Sequence, residues 1–413
     1  MAVFILTFGL RLWLALRQMR HVWLHRDRPP EAFAADYPPE AHRKAADYTL
    51  AKTRVGLLNM ALDGGLLLVF TLGGGLQWLH DGLSTLVDGP LLQGTALLLA
   101  LFGLLALAEL PLSFYRQFVT EARFGFNRQS VGGFFMDHAK QALLGLLIMG
   151  PLVMLVLWLM GAMGERWWLW VWLAWSGFNL LILAVYPTLI APLFNKFSPL
   201  NDKPLLSRIE ALLERTGFRS NGVFVMDGSR RTSHGNAYFT GLGNYKRIVF
   251  FDNLLQQLSP EQTEAVLAHE LGHYKRHHIR KRILLMFGLS LALLIVLAWL
   301  KEADWFYAGL HVAARGDALA LALFFLVLPI FLFPLTPLMS LYSRKHEFEA
   351  DAFAARHAQP AHLITALVRL YKDNASTMTP DPLYSLFYDS HPKAMERIAR
   401  LQTHITTVQP LRA

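Results

Sequence analysis

The sequence predicts a mainly α-helical, polytopic membrane protein: seven transmembrane helices with a hydrophilic, metal-binding region that includes a small β element. Three observations predict it. Only 17% of the 413 residues are charged and 54% are hydrophobic, with a mean hydropathy of +0.32, where a soluble domain carries about 25% charge. Seven stretches reach the ~20 predominantly apolar residues that a bilayer crossing needs. The loops joining them alternate between basic and base-poor, as membrane topology requires.

Taken in order, the spans lie at roughly 2–19, 55–79, 92–115, 142–163, 167–191, 282–300 and 318–342. The first has no small-residue cleavage site and is interrupted by Arg11, so it reads as a retained helix rather than a cleaved signal. Between spans one and two lie Arg20, Arg26, Arg28, Arg43, Lys44 and Lys52, whereas the next connection, HDGLSTLVDGP, has no Lys or Arg. The third loop carries Arg116, Arg123, Arg128 and Lys140, and the fourth Arg166 alone. The fifth, 192–281, is long and basic, while in the sixth Lys301 and Arg315 are offset by Glu302, Asp304 and Asp317. Positive loops face the cytoplasm. The N-terminus is therefore expected outside, and both large hydrophilic segments, 192–281 and 343–413, inside (at the inner membrane, if the source is bacterial). The chain divides into an N-terminal membrane region 1–191, a hydrophilic segment 192–281, spans six and seven at 282–342, and a C-terminal segment 343–413. Asp63 and Glu109 fall in or near apolar spans, a placement expected at a helix end or against a wet interior.

A net charge of +9 records this topology; no basic, aromatic-interleaved domain is present to bind nucleic acid. Cysteine is absent. Disulfides, thiolate ligands and cysteine nucleophiles are thereby excluded, and a metal site must be built from His, Asp or Glu.

The segment SPEQTEAVLAHELGHYKRHH contains such a set. It opens as a helix, with Ser259 suited to the N-cap, Pro260 to the first turn and Gln262 completing a capping-box pattern. His269 and His273 stand four apart, so both imidazoles project from one face, and Glu270 follows the first. Zinc held by such a pair lowers the pKa of its water to about 7, and Glu270 can accept the proton as that water attacks a carbonyl. Composition alone yields about 0.02 chance occurrences of the pattern in a chain of this length. Gly272 allows close approach beside the site. The trailing YKRHHIRK, with His277 and His278, reads as a solvated juxtamembrane face.

A third ligand is needed, and SRKHEFEADAFAARH follows span seven directly. Glu347 and Asp351 lie four apart on one helical face, followed by alanines that permit tight packing. Glu347 can complete a two-His, one-Glu set with the fourth position left for water, and Asp351 can orient a ligand histidine. On chemistry alone Glu349 and His346 compete for the third place.

The sequence resembles the type I CAAX prenyl protease family of integral-membrane zinc metallopeptidases along nearly its whole length. Besides HELGH and EFEAD, the resemblance is carried by AHRKAADYTLAKTR in the first loop, EARFGFNRQS at 121–130, APLFNKFSPL at 191–200, SHGNAYFTG at 233–241, KRIVFFDNLL at 246–255 and SHPKAMERI at 390–398. The related bacterial heat-shock membrane protease shares HExxH and E-x-x-x-D but lacks the GFN segment, which reads here as a structural loop. The resemblance implies one zinc per chain on His269, His273 and Glu347, with Glu270 as general base and Asp351 as the supporting carboxylate. It further implies that His391 stabilises the oxyanion, supported by Arg397, and that Asn236 pairs with substrate backbone beside an edge strand. Lys393 stands where the family often has a second proline. The implied fold is a ring of seven helices around a large water-filled chamber, capped by the metalloprotease domain.

The expected task is hydrolysis of peptide bonds in a membrane-associated protein or peptide, a prenylated CAAX-type substrate included. Clearance of damaged membrane proteins is the alternative within the same class. A non-hydrolytic channel or transporter stabilised by zinc is disfavoured, because structural zinc takes four closed ligands and has no use for Glu270. Cleavage within the bilayer is excluded by the acidic PEQTE and basic YKRHHIRK on either side of HELGH.

Overall fold

The computed structural model describes residues 1–30, 37–240 and 246–408, with side chains through 405; Gly241, the last residue of SHGNAYFTG, lies outside them. Helices α1 (Ala2–Leu24), α2 (Pro39–Phe70), α3 (Gly75–Ser84), α4 (Pro90–Tyr115), α5 (Val131–Ala162) and α6 (Trp167–Val185) build the N-terminal half. A water-facing region follows, with α7 (Lys203–Arg215), α8 (Asp252–Gln257) and α9 (Pro260–Lys275) around a small sheet. Then come α10 (His278–Lys301), α11 (Asp304–Ala308), α12 (Asp317–Leu332), α13 (Thr336–His357), α14 (Pro360–Asp373), α15 (Pro382–Tyr388) and α16 (Ala394–Val408).

Seven helices among the described residues are long and apolar enough to cross a membrane, as the hydropathy requires. They turn Trp13, Leu146, Leu181 and Leu284 outward, a surface suited to lipid. Inside, Leu97, Leu101, Leu157 and Leu323 form a shared apolar core. The second span differs from expectation. Hydropathy places it at 55–79, but its helix runs Pro39–Phe70 and stops before three consecutive glycines, Gly73 to Gly75. Gly74 takes φ +73° and caps the short α3, a backbone state that glycine adopts without strain. The arginine- and lysine-bearing first loop is thus largely the start of α2. Span seven also breaks, at a 3₁₀ turn over Phe333–Leu335 that contains Pro334; proline removes a helical hydrogen bond there. Helix α13 then carries its sequence out of the apolar layer with Glu347 and Asp351 on it.

The sheet has four strands, β1 (Phe197–Pro199), β2 (Val223–Met226), β3 (Ala237–Thr240) and β4 (Arg247–Phe251), in the order β1-β2-β4-β3. β2 and β4 are parallel, with Val223 opposite Ile248, and β3 runs antiparallel to β4, with Ala237 opposite Phe250. β3 is therefore an edge strand. Ile248, Phe250, Ile209, Leu212, Leu267, Leu271 and Leu367 fill the core beneath. Between this region and the membrane helices lies a cavity of about 990 Å³ lined by Arg11, Lys52, Glu109, Arg116, His391 and Arg397. Charged and polar side chains line it, and it reaches from the apolar layer to His391 and Arg397, two of the sequence-predicted site residues, so that a carboxylate such as Glu109 meets polar surroundings at that depth.

Candidate metal centre

Helix α9 begins with the expected reciprocal cap: Ser259 Oγ accepts from the Gln262 amide, and the Gln262 side chain accepts from the Ser259 amide. Its Glu264 accepts from Arg208 and Arg215 at 2.9 and 2.6 Å, which fixes the helix against α7. On its other side it crosses α13. A Cβ on Gly272 would sit 2.8 Å from Ala350 Cα and 3.0 Å from its carbonyl oxygen, so this crossing exists because both residues are small. Close approach is what brings two segments nearly eighty residues apart to one point.

At that point His269 and His273 turn their Nε2 atoms toward each other, 3.2 Å apart. Glu347 meets both, with Oε2 3.5 Å from His269 Nε2 and Oε1 3.3 Å from His273 Nε2. Tetrahedral zinc with bonds of about 2.0–2.2 Å places neighbouring donor atoms about 3.3–3.6 Å apart. The two distances to the Glu347 oxygens, 3.5 and 3.3 Å, fall on that edge, and the 3.2 Å between the histidines is 0.1 Å short of it. Glu347 Oε2 is buried without a hydrogen-bond partner, and facing imidazole lone pairs repel unless a proton or cation lies between them. The donor set therefore fits zinc. The competing ligands do not: Glu349 pairs with His278 at 3.0 Å, and His346 stacks on that same ring.

Asp351 accepts from His269 Nδ1 at 2.8 Å and takes a two-pronged ion pair from Arg397, at 2.8 and 2.7 Å. Arg397 is buried, on α16. Burial and the Arg397 charge push the His269 pKa down, but the Asp351 and Glu347 carboxylates outweigh them and hold it up at about 9. In the metal-free protein this imidazole carries a proton that a cation must displace. Glu270 is half-buried and has no hydrogen bond or ion pair with another described residue, so its carboxylate is free to act.

His391 lies in the loop before α16, its Nε2 3.5 Å from Glu347 Oε1 and its Nδ1 3.0 Å from the Ser390 hydroxyl. Ser390 orients the ring, a role no sequence pattern announced. Asn236 is exposed at the entrance to β3. Asn253 pins the approach to that strand by donating to the carbonyls of Thr232 and His234 at 3.1 and 2.8 Å. Gly235 lets the chain pass within reach of Leu254 and Gln257, where a Cβ would collide. Six of the eight expected site residues, His269, His273, Glu347, Asp351, His391 and Arg397, are joined by direct contacts; Glu270 follows His269 on α9, Asn236 stands apart at the start of β3, and Arg397 also approaches Glu347 at 3.7 Å and His269 at 3.3 Å.

One expectation is overturned. His278 is 4% exposed rather than part of a solvated face, because α9 ends at Lys275 and His277 takes φ +57°, turning the next helix so that His278 folds back behind His273. A second polar group is apparent only in the structure. Tyr48 donates to Glu121 at 2.7 Å, His234 approaches the same carboxylate at 3.6 Å, and Phe126 of the GFN segment stacks on His234 with centroids 4.4 Å apart. The GFN loop thereby packs against the segment that leads to Asn236.

Residues 18–196 match the family model of the CAAX prenyl protease N-terminal region, described as five membrane helices, and residues 199–405 match that of peptidase family M48. The chain is 34% identical to CAAX prenyl protease 1 of Saccharomyces cerevisiae over 96% of this chain and 93% of the relative. It is 30% identical to the CAAX prenyl protease 1 homolog of Homo sapiens over 97% and 95%. The crystal structure of S. mikatae Ste24p superposes with a TM-score of 0.90 at 31% identity, covering 97% of each chain.

Proposed function

The chain belongs to peptidase family M48, with the N-terminal membrane region of the CAAX prenyl proteases, and from that premise we propose that it is a zinc-dependent endopeptidase that cuts near the C-terminus of a prenylated, membrane-associated substrate. The observation that carries this reading is the convergence of His269 Nε2, His273 Nε2 and the buried Glu347 carboxylate around a gap of zinc's dimensions. Those three residues would hold one zinc per chain, and the ion supplies Lewis acidity that acidifies water and polarises the scissile carbonyl.

The chain's own groups do the rest. Glu270, unpaired and adjacent to His269, takes the proton of the attacking water and delivers it to the leaving amine. His391, close to Glu347 and oriented by Ser390, donates from Nε2 to the developing oxyanion. Asp351 positions His269, and Arg397 holds Asp351 in place. Asn236 and the open edge of β3 receive the substrate backbone as an added strand. The wet cavity gives a lipid-tethered peptide access to this chemistry without the reaction entering hydrocarbon, and the loop charges favour a cytoplasmic site.

Purified protein reconstituted with zinc is expected to cleave a farnesylated C-a-a-X peptide, and Glu270→Gln to abolish turnover with zinc still bound. Undiminished hydrolysis by the variant would remove Glu270 as the base. Failure of the zinc-loaded parent on prenylated peptides would remove the substrate class.

A further inference from the structure

Behind His273 lies a second group of ring nitrogens that the reaction scheme above leaves unused. His273 Nδ1 is 3.0 Å from His278 Nδ1, and His278 Nε2 is 3.0 Å from Glu349 Oε2. His278 also stacks on His346, with centroids 3.9 Å apart and planes 7° apart. A contact between two Nδ1 atoms is a hydrogen bond only when one bears the proton and the other a lone pair. An ionised carboxylate can only accept, so Glu349 draws the His278 proton to Nε2. His278 Nδ1 is then the acceptor, His273 donates from Nδ1, and the His273 Nε2 lone pair faces Glu347.

We propose that His278 is the positioning residue for His273, fixing its tautomer and ring plane, with Glu349 setting the tautomer of His278 and His346 holding its ring. The inference rests on the reading of His273 as a metal ligand. The two candidate ligands are then supported by different chemistry: a carboxylate behind His269, at 2.8 Å, and a carboxylate-backed imidazole behind His273. A ligand imidazole aimed from behind binds its cation more tightly, and loss of such a partner costs about 10–100-fold in metal affinity.

The test uses the full chain in lipid nanodiscs, with zinc affinity read by chelator competition and the ligand field read from the absorption spectrum of Co²⁺. His278→Phe keeps the stack on His346 and removes the acceptor. It is expected to weaken zinc by about 10–100-fold and to alter the cobalt spectrum. His278→Gln, whose amide oxygen can accept from His273, is expected to recover most of the affinity. Glu349→Ala removes the tautomer-setting carboxylate at a partly exposed position and is expected to weaken zinc more mildly; should His278→Phe fail to fold, this variant decides. Parent affinity and an unchanged cobalt spectrum in His278→Phe, or in Glu349→Ala where it decides, would overturn the proposal. His273→Ala separates the two levels. If it keeps zinc, the ligand reading itself fails; if it loses zinc while His278→Phe keeps it, only the positioning role fails.

Discussion

Proton accounting at His269 has a measurable consequence. Its pKa in the metal-free fold, about 9, lies above the ordinary value of about 6.5. The contribution of this group to metal-free stability is therefore full below about pH 6.5 and is lost as pH rises through about 9. Zinc must displace the same proton, so zinc affinity rises with pH up to about 9 and levels above it. Calorimetric zinc titrations at pH 7.5 in buffers of different ionisation heat are expected to show about one proton released from this site per zinc; no release would contradict the carboxylate-dominated environment. Arg397 offers a second check. Removing it strips the buried Asp351 of its two-pronged ion pair and leaves only the His269 hydrogen bond, a loss of about 1–3 kcal/mol. Arg397→Leu is expected to lower the unfolding midpoint of the zinc-free protein and to weaken zinc as well, whereas a surface arginine would change neither.

The crossing of α9 and α13 carries the site, and Gly272 is its narrowest point. Gly272→Ala drives a Cβ into the Ala350 backbone, at an overpacking cost of about 1–3 kcal/mol. Because the proposed ligands are divided between the two helices, zinc affinity is expected to fall with stability. Gly288→Ala on α10 meets nothing within 4 Å and is expected to leave both unchanged. Equal effects would show that the crossing is not the constraint. The sequence made these helices legible because their signals are local: the Ser259–Gln262 cap, the four-residue spacings, Gly272 and the alanines after Asp351; that Ala350 is the residue Gly272 meets is seen only in the structure. It did not reveal His278, because a regular helix would aim a residue five positions past His273 to another face. Only the left-handed His277 brings it back. The end of span two was missed for a related reason: Thr71 to Leu79 is apolar enough to continue a helix, and the glycines that stop it act through backbone conformation rather than hydropathy. Glu121 carries no local pattern, since its partners Tyr48 and His234 arrive from distant segments; Ser390 contacts its own neighbour His391, in a loop with no helical or strand period to announce it.

At the scale of the whole molecule, the proposed orientation rests on seven spans and the alternation of loop charge, and a chain without cysteine allows it to be tested directly. Single cysteines placed at Ser84 and at Ser220 are expected to differ in intact cells: the first is labelled by an impermeant maleimide, the second only after permeabilisation. Labelling of Ser220→Cys from outside would invert the orientation and put the site on the opposite side. The proposed metal ligands lie beside His391 and Arg397, which line the cavity between the membrane helices and the water-facing region, so the account stands on what the His269, His273 and Glu347 cluster holds. Diffraction from zinc-loaded crystals at the zinc absorption edge tests this most directly. One anomalous peak per chain, within bonding distance of His269 Nε2, His273 Nε2 and a Glu347 oxygen, is the expected result. A peak elsewhere, or none at this cluster in zinc-replete protein, would contradict the account.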